Sequence, residues 1–231
     1  MLLMAWRITG KLFFLYTVPM ISFGIYCAVG IVNLASALFF KEGIRKVSKC
    51  CLMPALLVFY VLGTERVYFP IIAALAFSWA GDFLLINKDK PVFFKLGLAA
   101  FLVSHVFYLV AFLNLAGSIN AIALIVSAVI AIPLTIVLLK LLNADPPMKV
   151  PVAAYAVVII LMSMSALQLM IARPGLAGIL VFAASLVYLY SDTYMAYLLF
   201  HGKPKYFNLI TMIPYIIAQG GIVMGLVLGF S

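Results

Sequence analysis

Apolar segments of about 20 residues recur along the chain, separated by short clusters of charged, Pro and Gly residues. About 20 apolar residues are what an α-helix needs to cross a bilayer. Each segment is predicted to be a helix, because backbone in hydrocarbon must satisfy its own hydrogen bonds and a β-barrel would show short alternating segments. With 68% hydrophobic and 9% charged residues, the chain leaves no room for a water-soluble domain. We therefore expect residues 1–231 to form a single domain, an all-α polytopic transmembrane helical bundle.

The apolar segments predict about eight spans. The breaks between them are rich in charge, Pro or Gly, as in "KEGIRKVSK", "NADPPMK" and "HGKPK". The second span is short, so an arrangement of seven spans and one re-entrant segment stays open. The predicted spans are 12–38, 48–63, 67–86, 92–114, 119–142, 150–172, 175–199 and 206–230.

The basic residues predict the orientation of the bundle. Eleven of the 15 Lys and Arg residues lie in the loops after odd-numbered spans, whereas Arg7, Lys11, Arg66 and Arg173 lie on the other side. Basic loops stay in the cytoplasm, so both termini are predicted outside. This placement explains the net charge of +9 as membrane orientation, without a nucleic-acid partner. We expect an integral multi-pass protein of a bacterial inner membrane, with the lipid bilayer as a partner and no predicted oligomeric state.

Two of the six acidic residues lie inside predicted spans: Asp82 in "FSWAGDFLLI" and Asp192 in "LVYLYSDTYMAYLLF". A charged side chain at the bilayer centre costs about 2.5–3.5 kcal/mol even on insertion scales, and such residues usually mark functional sites. Both lie near the predicted cytoplasmic ends of their helices, so the two carboxylates are expected to face each other. The alternative is a helix-packing role, with Asp82 paired to Lys49.

The two halves of the chain resemble each other weakly. His105 follows Asp82 by 23 residues, and Tyr215 follows Asp192 by the same separation. A parallel repeat of four helices plus four helices would place the two aspartates at equivalent points. Repeats in membrane proteins often place functional sites at their interface.

Further polar residues inside the spans are candidates to line such a site. Tyr188 lies four residues before Asp192 on the same helix face, so its phenol is predicted to hydrogen-bond the carboxylate. Gly81 and Ser191, directly before the two aspartates, are small enough to allow close helix approach. The complete set of candidate site-lining residues is His105, Lys49, Tyr188, Ser191, Tyr215 and Gln219.

Two carboxylates in a dry cavity suit acid–base chemistry. One can hold a proton while the other is ionised, which serves cleavage through an oxocarbenium ion, peptide hydrolysis or a proton relay. Metal catalysis is not expected, because the chain has only two His and no HExxH pattern, and a catalytic zinc takes about three protein ligands. The three cysteines form no CxxC pair, and no cofactor is predicted.

Several short motifs, in order, resemble the lysoplasmalogenase (YhhN-like) family. They are "SKCCLMPALL", "FSWAGDFLLI", "FLVSHVFYL", "YLYSDTYMAY" and "PYIIAQ". The resemblance implies hydrolysis of the vinyl ether of lysoplasmalogen, a lysophospholipid, to a fatty aldehyde and glycerophosphoethanolamine or glycerophosphocholine. It also implies that Asp82 and Asp192 are the catalytic acid–base pair, and that His105, Lys49, Tyr215 and Gln219 line the site.

Two other classes of function use paired intramembrane aspartates. A transporter or proton-coupled carrier would use Asp82 and Asp192 as ion-binding groups, and would favour broken helices near them. An intramembrane aspartyl protease would place its two aspartates on adjacent helices with a GxGD motif. Here the two are 110 residues apart and the first follows "WAG", so the hydrolase and the carrier are the better supported alternatives.

Overall fold

Eight long α-helices make up the computed structural model, which describes residues 2–87, 90–117, 120–142 and 148–230. Each is long and apolar enough to cross a membrane, α1 through Thr17–Leu38. The prediction of an all-α polytopic bundle with eight spans is therefore confirmed, against seven spans and a re-entrant segment. The helices are α1 Leu2–Leu38, α2 Glu42–Gly63, α3 Phe69–Leu84, α4 Pro91–Ala116, α5 Ala121–Leu142, α6 Lys149–Ala172, α7 Leu176–His201 and α8 Phe207–Gly229, with a 3-10 turn Leu85–Asn87 after α3.

The second helix begins earlier than the sequence predicted. The segment "KEGIRKVSK" was expected to be a loop, but α2 starts at Glu42 and carries Arg45 and Lys49 within its first turns. The Glu42 carboxylate lies at the positive end of the helix dipole, where a negative charge stabilises the helix. Its Oε2 is 2.5 Å from a guanidinium nitrogen of Arg45, one turn further on. Hydropathy marks only the part of a helix that lies in hydrocarbon, and a helix can begin in the polar residues before that part. As a result, Lys49 faces the interior of the bundle.

Seven of the eight helices form a closed ring. In the described part of the chain, α1, α2, α3, α4, α6, α7 and α8 pack in that order, and α8 returns to α1. Helix α5 packs on α6 and α7 from outside the ring, and only 17% of its spanning window is buried. The polar interior of the bundle is therefore enclosed by the seven-helix ring, with α5 on the lipid side.

Helices α3 and α4 approach closely next to Asp82. A Cβ added to Gly81 would lie 2.6 Å from the ring of Phe101 on α4, closer than real contacts allow. The packing role predicted for Gly81 is thus present, because only a residue without a side chain fits against this ring. The contact fixes Asp82 and the Phe101 backbone relative to each other.

The third helix of each half carries one buried aspartate, Asp82 on α3 and Asp192 on α7. Each of these helices packs tightly on the helix that follows it, α4 or α8. This is the arrangement that a four-plus-four repeat requires, and the repeat itself stays a prediction. Eight spans also place both termini on one side of the membrane, while the identity of that side stays a prediction.

Candidate active site

Asp82 lies in the last turn of α3 and is almost completely buried, with 1% of its surface exposed. The ammonium nitrogen of Lys49 on α2 is 3.2 Å from its Oδ1. The Tyr215 hydroxyl on α8 donates a hydrogen bond of 2.8 Å to its Oδ2. The Lys49–Asp82 pair considered from the sequence is therefore present. A cation and a phenol donor are the partners that an ionised carboxylate needs when it is removed from water.

Asp192 lies on α7, is also buried, with 7% of its surface exposed, and has different partners. Its Oδ2 accepts a hydrogen bond from the Tyr155 hydroxyl on α6 and lies 3.5 Å from Nε2 of His105 on α4. The other ring nitrogen of His105, Nδ1, lies 2.5 Å from the backbone oxygen of Phe101. Asp192 therefore faces a phenol and an imidazole, where Asp82 faces a phenol and an ammonium group.

The partners of the two carboxylates cross between the halves of the chain. Asp82 on α3 is held from α2 in its own half and from α8 in the other half, by Lys49 and Tyr215. Asp192 on α7 is held from α6 in its own half and from α4 in the other, by Tyr155 and His105. His105 follows Asp82 in the sequence but contacts Asp192, and Tyr215 follows Asp192 at the same separation but contacts Asp82.

A network of hydrogen bonds lies behind the two carboxylates. The side-chain nitrogen of Gln219 donates to Ser78 at 3.0 Å and to the Tyr188 hydroxyl at 2.9 Å, and its oxygen accepts from Tyr108 at 2.7 Å. The Tyr188 ring is 4.7 Å from that of His105 and 5.8 Å from that of Tyr215, between centroids. Fully satisfied networks of this kind hold side chains in one arrangement.

The predicted hydrogen bond from Tyr188 to Asp192 is wrong. The Tyr188 hydroxyl accepts from Gln219, and it is Tyr155 that bonds Asp192. Long side chains on a helix point back towards its N-terminus, so the Tyr188 hydroxyl extends away from a residue one turn further on. Tyr188 and Asp192 therefore share a helix face without a hydrogen bond between their side chains.

Two cavities open onto the carboxylates. A polar cleft is lined by Arg45, Lys49, Asp82, Asp192, Asn208 and Tyr215. An apolar groove runs between α4, α6 and α7 and is lined by Phe94, Leu98, Val152, Tyr155, Ile159 and Asp192. Leu85, Phe101 and Met195 line both, so they form the wall between the cavities. Asp192 lies where the two meet, whereas Asp82 faces the polar cleft.

The structure brings every predicted site residue into this region. Ser191 lines the polar cleft, and its hydroxyl is 3.5 Å from the backbone oxygen of Thr211. The remaining candidates touch a carboxylate directly or belong to the network behind it. They are Asp82, Asp192, Lys49, His105 and Tyr215 in the first group, and Tyr188 and Gln219 in the second.

Sequence reasoning missed two residues of the site. Tyr155 is one of 12 tyrosines and stands alone in an apolar run, so its residue type gives little signal. Arg45 was assigned to a loop, because the apolar run of the second span begins after it. A helical projection of 42–63 would have placed Arg45 one turn before Lys49 on the same face.

The fold and the site together define a polytopic α-helical membrane protein with two carboxylates buried inside its bundle, open to a polar cleft and an apolar groove. Residues 44–226 match the YhhN family, and the chain belongs to this family. The match begins just before Arg45 and includes both aspartates and all their partners. No curated protein and no solved structure matches the chain.

Proposed function

We propose that this protein is a membrane-embedded hydrolase that cleaves the vinyl ether bond of lysoplasmalogen. The products are a fatty aldehyde and glycerophosphoethanolamine or glycerophosphocholine. Membership of the YhhN family and the family resemblance of the aspartate motifs support this class of substrate. The observation that carries the proposal is the pair of buried carboxylates with unlike partners, Asp82 beside Lys49 and Asp192 beside His105.

Unlike partners suit a reaction that needs an acid and a base together. Vinyl ether hydrolysis begins with transfer of a proton to carbon, which leaves an oxocarbenium ion on the carbon bonded to oxygen. A second carboxylate stabilises this cation and helps water to attack it, as in glycoside hydrolysis. The resulting hemiacetal collapses to aldehyde and alcohol. General acid–base catalysis of this kind contributes about 10²–10⁴-fold per group.

The two cavities match the two ends of a lysophospholipid. The apolar groove between α4, α6 and α7 suits a hydrocarbon chain, which bilayer lipids could enter from the side. The polar cleft contains Arg45, which is paired with Glu42, and Lys49, which is paired with Asp82. Guanidinium groups bind phosphate through planar forked hydrogen bonds, so Arg45 is the better candidate for the phosphate of the substrate.

Aldehyde release from a lysoplasmalogen in detergent tests the proposal. Purified wild type is compared with Asp82→Asn and Asp192→Asn, with Ser127→Ala as a control that alters a buried polar residue on α5. We expect wild type and the control to release aldehyde, and each Asn variant to lose at least about 100-fold in rate. Full turnover by a folded Asn variant would rule out the two-carboxylate reaction.

The alternative of a carrier is less well supported by the helices. Helix α3 continues past Asp82 to Leu84, and α7 continues past Asp192 to His201. Transporters commonly bind ions where a helix is interrupted within the membrane. Asp192 lies in the interior of α7, and Asp82 lies in the last turn of α3, before the 3-10 turn that ends this span. Proton or lipid flux into liposomes by a protein that releases no aldehyde would favour the carrier.

A further inference from the structure

The pair of His105 and Asp192 must contain a proton between them. A backbone oxygen only accepts hydrogen bonds, so the contact of Nδ1 with Phe101 requires the hydrogen of the neutral ring to be on Nδ1. Nε2 then presents a lone pair to Oδ2 of Asp192 at 3.5 Å, and it has no hydrogen-bond partner among the described residues. Oδ2 also accepts from the Tyr155 hydroxyl, but that donor does not serve Nε2. Two acceptors facing each other in a buried site are unfavourable, and one additional proton between them removes the conflict.

Asp82 needs no such proton. Its Oδ2 accepts a hydrogen bond from the Tyr215 hydroxyl. Its Oδ1 has no hydrogen-bond partner among the described residues, but it lies 3.2 Å from the Lys49 ammonium nitrogen, so it faces a cation and not a second acceptor. An ionised Asp82 beside a charged Lys49, and one proton shared by Asp192 and His105, give a site without net charge. Neutrality is what a buried group of four ionisable side chains requires. The two carboxylates therefore differ by one proton in the resting protein.

The positions of the two cavities support the same assignment, with Asp192 as the carboxylate that holds the proton and Asp82 as the ionised one. Asp82 lines the polar cleft, while Asp192 lies where the cleft meets the apolar groove. With the phosphate towards Arg45 and the hydrocarbon in the groove, the vinyl ether crosses this junction. Its carbon bonded to oxygen is then on the side of Asp82. The next carbon, which begins the chain and must accept the proton, is on the side of Asp192.

We propose that Asp192 is the acid that protonates carbon, and that His105 positions it and shares the proton with it. Asp82 is then the ionised base that accepts a proton from the attacking water. The assignment rests on the proposed function. It names which carboxylate performs which step, and it makes His105 a positioning residue that acts through Asp192.

The reaction balances with these roles. The proton of the Asp192–His105 pair forms a C–H bond with the chain-side carbon, and the double-bond electrons move to leave an oxocarbenium ion beside Asp82. Water forms a C–O bond with this cation and gives a proton to Asp82. The hemiacetal hydroxyl then returns a proton to Asp192, the bond to the glycerol oxygen breaks, and Asp82 protonates that oxygen. One water is consumed and both carboxylates regain their starting states.

Deuterium exchange into unreacted substrate separates the two roles. Asp82→Asn and Asp192→Asn are incubated with an alkenyl glycerophosphocholine in heavy water, and the recovered substrate is analysed by mass spectrometry and NMR. Asp82→Asn retains the acid but hydrates the cation slowly, so protonation reverses and deuterium accumulates on the chain-side vinyl carbon. Asp192→Asn lacks the acid, so we expect no label. Equal labelling in both variants, including none in either, or the reverse order, overturns the assignment.

A measurement without substrate tests the proton itself. The chain has two histidines, so His201→Gln leaves His105 as the only imidazole for nitrogen NMR. We expect Nε2 to give the signal of a protonated or hydrogen-bonded nitrogen at neutral pH. The signal of a bare imine nitrogen overturns the proton placement. A wild type that releases no aldehyde overturns the proposed function, whereas an active wild type with reversed labelling overturns the assignment alone.

Discussion

Tyr155 is the residue whose role is easiest to isolate, because a single hydroxyl separates it from phenylalanine. That hydroxyl donates to Oδ2 of Asp192, and its ring packs edge-on against His105. Tyr155→Phe retains the ring and removes the donor that orients the carboxylate. Hydrogen bonds to charged groups contribute about 1.5–3 kcal/mol, so we expect kcat to fall roughly 10- to 100-fold.

Steady-state kinetics on lysoplasmalogen measure this effect. Tyr60→Phe is the matched control, because the hydroxyl of Tyr60 on α2 accepts from the backbone nitrogen of Tyr68, just before α3, and has no hydrogen bond to either carboxylate among the described residues. A normal kcat in Tyr155→Phe would contradict an orienting role for the hydroxyl. An equal loss in both variants would attribute the effect to packing.

Lys49 illustrates how a buried charge depends on its partner. Its ammonium group is the only cation that the described structure pairs with Asp82, and both side chains are largely enclosed. Removal of one member of a buried ion pair destabilises a protein by about 3–5 kcal/mol, because the other charge is left without compensation. We expect Lys49→Met to lower the thermal unfolding temperature in detergent strongly.

The double variant Lys49→Met with Asp82→Asn is the control for this prediction. It removes both charges, so it should be clearly more stable than Lys49→Met alone. If the double variant is no more stable, the loss comes from the shape of the lysine stem and not from the unpaired carboxylate.

At the scale of the helices, the contact of α3 with α4 is the one on which both carboxylates depend. Gly81 packs against Phe101, whose ring borders both cavities and whose backbone oxygen bonds His105. A valine at Gly81 would collide with this ring. We expect Gly81→Val to destabilise the protein by about 1–3 kcal/mol and to reduce activity, because both Asp82 and His105 would shift.

Thermal unfolding and aldehyde release are measured on the same preparations. Gly24→Val on α1 is the matched control, because an added Cβ there meets nothing within 4 Å. This control should differ little from wild type. Comparable losses in the two variants would assign the effect to helix propensity instead of the α3–α4 contact.

The apolar groove between α4, α6 and α7 predicts a dependence on chain length. Ala196 lines the groove on α7, and a phenylalanine there would occupy its volume. We expect Ala196→Phe to raise KM for a long alkenyl chain more than for a short one. Exposed Ala99 on α4 provides the control Ala99→Phe, for which the ratio of the two KM values should not change. An unchanged ratio in Ala196→Phe would place the chain elsewhere.

Sequence patterns predicted the elements well and their contacts only in part. Long apolar runs fixed eight spans, and the rarity of carboxylates in hydrocarbon selected Asp82 and Asp192. Position along one helix, however, does not say which neighbouring helix a side chain reaches. For this reason Tyr188 was wrongly paired with Asp192, and Tyr155, with no distinguishing motif, was not selected.

On the scale of the whole molecule, the orientation in the membrane decides from which leaflet the substrate arrives. The excess of Lys and Arg after odd-numbered spans predicts both termini outside. Alkaline phosphatase fused after residue 231 should then be active in a bacterial host, and a fluorescent protein that matures only in the cytoplasm should remain dark there. The opposite result would place the aspartates near the outer leaflet. It would leave the bundle itself unchanged.

The crossed contacts of the two carboxylates bear on how such a site could arise. Because each aspartate takes one partner from each half, neither half alone contains a complete carboxylate site. If the halves descend from one duplicated four-helix segment, the ancestor would have worked as a pair of identical chains. Identical chains would give both aspartates the same neighbours. Under this hypothesis, fusion into one gene would have allowed His105 and Tyr215, which follow the two aspartates at the same separation, to become different residues, and the surroundings of the two carboxylates to differ with them.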